Sequence, residues 1–398
     1  MNNISVILPV HNYKDPISEV LKKINDQILK PNEIIIVDSS DNIKIQEIVR
    51  SFNSNNSNIH TLYHWVPKAY PGHSRNIGVK LAKNEYVAFI DSKTLPKDNW
   101  LSEYMKILKK NNLNYIIGIT EFKSISVFQK LVNSATFGNL NYATIPGSVF
   151  RKDFFLKSGG FLNYLRSAED QHYFSKIGFV QKKDYYRSYL TYNDLPSNFI
   201  SFISKYFLYS YHTSFINIQG ITKNLYFLIF TFLIISIFLS LKNIFPIYFL
   251  EYYYLYSIFF FLTIPFIIIN FVLILIFEKM KKEIISQILK ILILIIVFYS
   301  VYKWNMHVAN WLETSKLYIP HITKSFIISV IFISIFYRGL ILPLKRKVEK
   351  DFIFPFNWIR IGILGLTIDV VKSPAYVLGA VNYPFIQLYD YIKKTFYK

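Results

Sequence analysis

NEYVAFIDSKTLPKD, running from Asn84 to Asp98, is the stretch whose reading decides the fold. Its apolar core, residues 86–90, has the length and flanks of a buried strand, and it stops at Asp91, where Ser92, Lys93, Thr94 and Pro96 make a turn. Ligands of open α/β sheets bind outside the carboxyl ends of the strands. An acid at that place is positioned for a ligand or a metal rather than for packing.

Working outward, residues 4–10 and 33–37 are two more apolar runs, the first closing on Pro9, His11 and Asn12 and the second on Asp38, Ser39, Ser40 and Asp41. Between them Ile17, Val20, Leu21, Ile24 and Ile28 recur at helical spacing behind Asp15 and Pro16. Residues 43–52 predict a second helix, 59–63 a weaker strand, and 74–83 a helix that begins after the turn Pro71, Gly72, His73. Beyond the central strand, 100–109 is helical, 115–120 and 145–151 are strands, and 167–178 is a helix opening on Glu169 and Asp170, where the positive end of the helix dipole favours acids. Residues 180–189 predict a last, polar and aromatic strand. Alternation of strand and helix implies an α/β fold with a mostly parallel, Rossmann-like sheet covered on both faces.

Composition changes near residue 195. The whole chain is 52% hydrophobic, with a mean hydropathy of +0.26, too apolar for a soluble two-domain protein, and the excess lies in the second half. Cysteine is absent, which excludes disulfides and thiolate metal sites. The formal charge of +20 is spread through the first half and grouped at the ends of apolar segments, a pattern suited to anionic lipid rather than nucleic acid. No basic and apolar leader precedes the first strand, so the N-terminal domain is expected to fold in the cytoplasm.

Four regions follow: 1–195, the α/β domain; 196–223, an amphipathic interface segment; 224–343, about four transmembrane helices, at 225–241, 256–277, 284–302 and 320–342; and 344–398, a basic loop with interfacial helices broken by Gly362, Gly365, Pro374, Gly379 and Pro384. The basic clusters Lys279, Lys281, Lys282 and Lys345, Arg346, Lys347, Lys350 both fall on the side of the N-terminal domain. By the positive-inside rule that side is cytoplasmic, as in a bacterial inner membrane.

VILPVHN (6–12), IIIVDSS (34–40), GHSRNIG (72–78), YVAFIDSKTLPKDNWL (86–101) and SAEDQHYF (167–174) resemble, in order, the motifs of family 2 glycosyltransferases of GT-A fold. The resemblance covers about half the chain and implies an inverting, membrane-bound enzyme. Its donor would be a nucleotide-diphosphate sugar and its acceptor a lipid-linked or cell-surface glycan, with membrane lipids as further partners. Asp38 then recognises the nucleoside, with Pro9, His11 and Asn12 lining the same crevice. Arg75 and Asn76 contact the diphosphate or order the pocket. Asp91 begins the family's DxD motif, whose acids hold Mg2+ or Mn2+, but Lys93 replaces the second acid. Either Lys93 neutralises the diphosphate itself, or Asp91 keeps the metal with water and phosphate. Glu169 and Asp170 match the ED motif, with Asp170 as catalytic base and Glu169 as its partner. A processive synthase is disfavoured by the lack of a QxxRW motif. The alternative from another class is a noncatalytic nucleotide-binding scaffold with a degenerate DxD.

Overall fold

The computed structural model describes residues 3–41, 44–55, 59–180, 185, 187–216, 226, 230 and 322–396. In the N-terminal part the elements are β1 (Ile4–Val10), α1 (Ile17–Asn25), β2 (Glu33–Asp38), α2 (Lys44–Asn55), β3 (His60–Trp65), α3 (Pro71–Leu81), β4 (Tyr86–Phe89), β5 (Thr94–Pro96), α4 (Trp100–Lys110) and β6 (Tyr115–Phe122). They continue with α5 (Val127–Thr136), β7 (Asn141–Arg151), α6 (Lys152–Lys157), α7 (Glu169–Lys176), β8 (Leu190–Tyr192) and α8 (Phe199–Thr213). The strands form one eight-stranded sheet in the order β3-β2-β1-β4-β7-β6-β8-β5. This is the GT-A-like arrangement: β3, β2, β1 and β4 are parallel, and the sheet turns mixed where β7 runs antiparallel to β4.

The unbroken apolar runs of β1 and β2 fit a sheet covered on both sides. Because side chains alternate, Val6, Leu8, Ile34 and Ile36 join one core with α1, α2 and α4, whereas Ile7, Ile35 and Val37 join another with Val79, Phe89, Phe150 and Phe155. A Cβ at position 78 would collide with the Ile7 side chain, so Gly78 is what lets α3 lie against β1. In register, Val10 is level with Asp38 and Asp38 with Trp65, so the carboxyl ends of the parallel strands form one edge.

Two local expectations change. The last strand is Leu190–Tyr192, later and shorter than the predicted 180–189, and it pairs with β6 and with β5, a short strand formed by what reads in sequence as turn. Three residues of β5 carry too little pattern to be told from a turn.

Toward the C-terminus lie α9 (Ile322–Phe336), a π-helical segment (Tyr337–Ile341), α10 (Leu342–Lys345), α11 (Lys350–Ile353) and α12 (Asn357–Phe396). The first three expected spans fall outside the described residues. Ile328–Lys345 and Asn357–Tyr383 are long and apolar enough to cross a membrane, with mean hydropathies of 1.7 and 1.5. The expected break at Pro374 does not occur: α12 continues through it as one helix. A proline removes a single N–H, a loss that a long apolar helix tolerates.

By compactness, Met1–His212 forms one unit with Ser334–Thr367, and the remainder forms a second. Within the first unit Arg346 Nη1 donates to the Ala135 carbonyl at 2.6 Å, Asn139 N–H donates to the Arg346 carbonyl at 2.9 Å, and Lys130 pairs with Glu349 at 2.9 Å. The basic connection after α10 is thereby fastened to α5 of the α/β domain. Gly339 and Gly362 bring the π segment and the start of α12 into backbone contact, the small-residue packing that apolar helices use.

Candidate active site

Pro71 opens α3 at its first turn, and Arg75 follows one turn later, pointing into the protein. Its side chain is 2% exposed, yet it meets three acids: Nη2 lies 2.7 Å from Asp91 Oδ1, and Nη1 lies 3.0 Å from Glu169 Oε1 and 3.6 Å from Asp170 Oδ1. The guanidinium also sits 5.6 Å from the centre of the Phe161 ring. A planar fork with several donors is suited to joining carboxylates that arrive from different elements. Burial alone would lower the Arg75 pKa, but Asp91, Asp170 and Glu169 outweigh it and hold the guanidinium charged.

The acids reach this point through local backbone. Asp91 stands just past β4. Glu169 and Asp170 occupy the first turn of α7, entered through Ala168 in the left-handed conformation at φ 68°. That conformation disfavours a side chain, and here it sets the start of the helix that carries both acids. Asp170 Oδ2 also accepts from the Ile145 N–H at 3.3 Å. Burial raises the pKa of both carboxyls, with the neighbouring acid adding to this for Glu169 and Arg75 opposing it. Exposure separates their roles: Glu169 is 8% exposed and faces inward with Arg75, whereas Asp170 at 28% and Asp91 at 34% open toward solvent.

At the far end of the edge, Asp38 is fully buried and uses both oxygens, Oδ2 accepting from the Tyr63 hydroxyl at 2.7 Å and Oδ1 from the Ser40 N–H at 2.8 Å. His11 is exposed and donates from Nδ1 to the Ser39 carbonyl at 3.1 Å, while Trp65 Nε1 donates to the Ser40 carbonyl at 2.8 Å. Asn12 shapes the turn after β1 by accepting from the Lys14 N–H at 3.1 Å. Pro9 is buried inside β1, one residue before its end. Asn76 holds the 161–163 loop, donating to the Phe161 carbonyl and to Asn163 Oδ1, both at 2.8 Å, and accepting from the Phe161 N–H at 3.0 Å.

Lys93 Nζ lies 2.6 Å from Asp194 Oδ2 and 3.5 Å from Asp15 Oδ1. Ser92 donates its hydroxyl to Asp15 at 2.5 Å. Among the described residues no group of three His, Cys, Asp or Glu side chains converges as a metal site.

The structure thus gathers Arg75, Asp91, Glu169 and Asp170 into one cluster and places Asp38, His11 and Asn12 along the same sheet edge. Reading the sequence alone misses Tyr63, Asp15, Asp194 and Lys205, whose Nζ donates to the Tyr192 hydroxyl at 3.1 Å and to the Asp194 carbonyl at 3.3 Å. Tyr63 carries a signal, since it lies two residues before the end of β3 in register with Ile36 near Asp38. Asp194 and Lys205 carry none, because both come from the β8–α8 region, where a strand of three residues has too little pattern to be read.

Comparison with known proteins agrees with the domain. Residues 5–173 match the sequence model of Glycosyl transferase family 2. The poly(ribitol-phosphate) beta-glucosyltransferase of Bacillus spizizenii is 30% identical over 117 residues, which are 29% of this chain and 18% of that protein. The poly(ribitol-phosphate) beta-N-acetylglucosaminyltransferase TarP of Staphylococcus aureus is 26% identical over 232 residues, 50% of this chain and 65% of that one. Less than two thirds of either relative is therefore spanned. Among solved structures, S. aureus TarS 1–349 in complex with UDP-GlcNAc aligns over 52% of this chain and 64% of its own, with 20% identity and a TM-score of 0.37. A mannosyltransferase of Pyrobaculum calidifontis in complex with GDP-Man and Mn2+ covers 53% of this chain and 62% of its own, with 18% identity and a TM-score of 0.39. Residues 5–173 of this chain are a glycosyl transferase family 2 domain.

Proposed function

We propose that this chain is a membrane-bound, inverting glycosyltransferase that moves a sugar from a nucleotide-diphosphate donor to a hydroxyl of a lipid-linked or cell-surface glycan. The observation that carries the reading is the Arg75 cluster, which leaves Asp170 and Asp91 open at the edge where ligands of such sheets bind. Asp170 is the base. As the acceptor oxygen bonds to the anomeric carbon, its proton passes to Asp170, and the bond from that carbon to the phosphate oxygen breaks with its electron pair remaining on the diphosphate. A carboxylate whose pKa is raised by burial is a stronger base than a free one, and so better matched to taking that proton near neutral pH. Glu169 and Arg75 position it. Asp38, fully buried and held by Tyr63 and the Ser40 N–H, shapes the part of the edge that receives the nucleoside.

The side chains at Asp91 do not fit a divalent ion well. One of its oxygens is bonded to Arg75, Lys93 stands where the second acid of the motif belongs, and among the described residues no third ligand converges.

Membrane attachment is supported by Ile328–Lys345, which is apolar and leaves Ile328, Phe332 and Ile333 exposed at 66%, 56% and 63%, a face suited to lipid. Docking of Arg346 on α5 supports placing the basic end of that helix and the catalytic domain on one side, the cytoplasmic side of a bacterial inner membrane. An enzyme fixed there meets a membrane-confined acceptor at high effective concentration. Transfer from a panel of UDP-, GDP- and TDP-sugars into membrane lipid extract tests the reading. Nucleotide binding without transfer to any acceptor would favour the noncatalytic scaffold instead.

A further inference from the structure

Two lysines converge on one exposed acid beside the site. Lys93, on the turn after β4, reaches the Asp194 carboxylate at 2.6 Å, and Lys205, on α8, donates to the Asp194 carbonyl at 3.3 Å and to the Tyr192 hydroxyl at 3.1 Å. Their anionic partners differ. Asp15 is 8% exposed and anchored by Ser92, a fixed counter-charge. Asp194 is 52% exposed and lies on the connection between β8 and α8, where an ion pair contributes little and exchanges readily. The Lys93 ammonium therefore has one carboxylate neighbour that can leave, and the Lys205 ammonium stands beside it on the backbone carbonyl of the same residue.

Resting on the nucleotide-sugar reading above, we propose that Lys93 and Lys205 form a cationic clamp for the donor diphosphate in place of a divalent cation, with Asp194 occupying the phosphate position until the donor displaces it. Lys93 stands in sequence where the motif's metal-binding acid belongs, so its charge takes the sign of the ion rather than of the ligand. Ammonium-to-phosphate hydrogen bonds are charge-assisted and suit lysine as a point charge. Burial pulls the Lys205 pKa down to about 8, with Asp194 opposing the shift and Lys93 adding to it. The acids nearby do not cancel the clamp. Asp91 and Glu169 are paired with Arg75, and displacement of Asp194 removes one more negative charge.

The test is binding of UDP, GDP and TDP to the purified full chain, in chelator and in Mg2+ or Mn2+. The expected result is an affinity for at least one diphosphate that differs by less than about threefold between the two conditions. Lys93→Met should weaken it by about 10- to 100-fold while leaving affinity for the matching nucleoside in place. Lys205→Gln should weaken it in the same sense, which guards against misfolding of either variant, and Asp194→Asn should tighten it. Lys93→Asp should make binding metal-dependent. Binding of the unaltered chain that is lost in chelator and restored by Mn2+ overturns the clamp and leaves glycosyl transfer standing. Absence of binding of all three diphosphates in every condition overturns both.

Discussion

Nη2 of Arg75 lies 2.7 Å from Oδ1 of Asp91, tying the first helix turn after Pro71 to the end of the central strand. Through its other nitrogen the same guanidinium holds Glu169 at 3.0 Å, so one buried charge aligns acids from two elements. Removing it leaves carboxylates in low-dielectric surroundings without a partner. Arg75→Ala should destabilise the domain by about 3–5 kcal/mol. Arg75→Lys, which keeps the charge but not the fork, should lose activity with a smaller fall in Tm. Thermal unfolding beside a transfer assay separates the two effects.

Activity and stability should move in opposite directions with pH. Burial raises the Glu169 pKa from 4.5 to about 8 and raises that of Asp170. Between 4.5 and about 8 the folded state therefore binds more protons than the unfolded one. The stabilisation is fully present below that window and is lost as pH rises through it. A base must be deprotonated, so kcat/KM should climb over a range above that of an ordinary carboxylate. A profile already flat from pH ~5 upward would contradict the raised carboxyl.

Much of this is legible in the sequence, and the exceptions have two causes. Continuous apolar runs marked β1, β2 and β4, and the acid closing each of the last two marked the edge where Asp38 and Asp91 lie. The inward pair Glu169 and Asp170 was readable as a motif, but the contact of Arg75 with both was not. It depends on the turn at Ala168 and on chain separated from Arg75 by 94 residues. The β8–α8 region failed for a different reason: its strand is only three residues long, and aromatic composition there fits strand, helix or interface alike. Asp194 and Lys205 were lost with it.

Tyr63 is expected to matter through Asp38. Tyr63→Phe deletes the 2.7 Å hydrogen bond to a fully buried carboxylate and should cost about 1–3 kcal/mol, with weaker donor binding as a second effect. Titration calorimetry with UDP and GDP, set beside a chemical denaturation curve, reads both.

At Gly78, substitution by valine would drive a branched side chain into Ile7 and separate α3 from β1. Overpacking of this kind costs about 1–3 kcal/mol, and because α3 carries Arg75 the loss in transfer should exceed the loss in stability. A variant equal to the parent in both would remove the case for close packing here.

Arg346→Ala should release the segment after α10 from α5, since its guanidinium bonds the Ala135 carbonyl at 2.6 Å. Faster hydrogen exchange confined to residues 130–140 and 342–353 is expected, with the β-sheet unaffected.

The most direct measurement compares the parent chain with Asp170→Asn in transfer from a panel of nucleotide-diphosphate sugars into membrane lipid extract, with binding of the donor measured alongside. If Asp170 is the base, the parent transfers one sugar, and the variant binds that donor with little change but turns over slower by a factor of about 10²–10⁴. Turnover preserved in Asp170→Asn would contradict the assignment and, with it, the chemistry proposed for the Arg75 cluster.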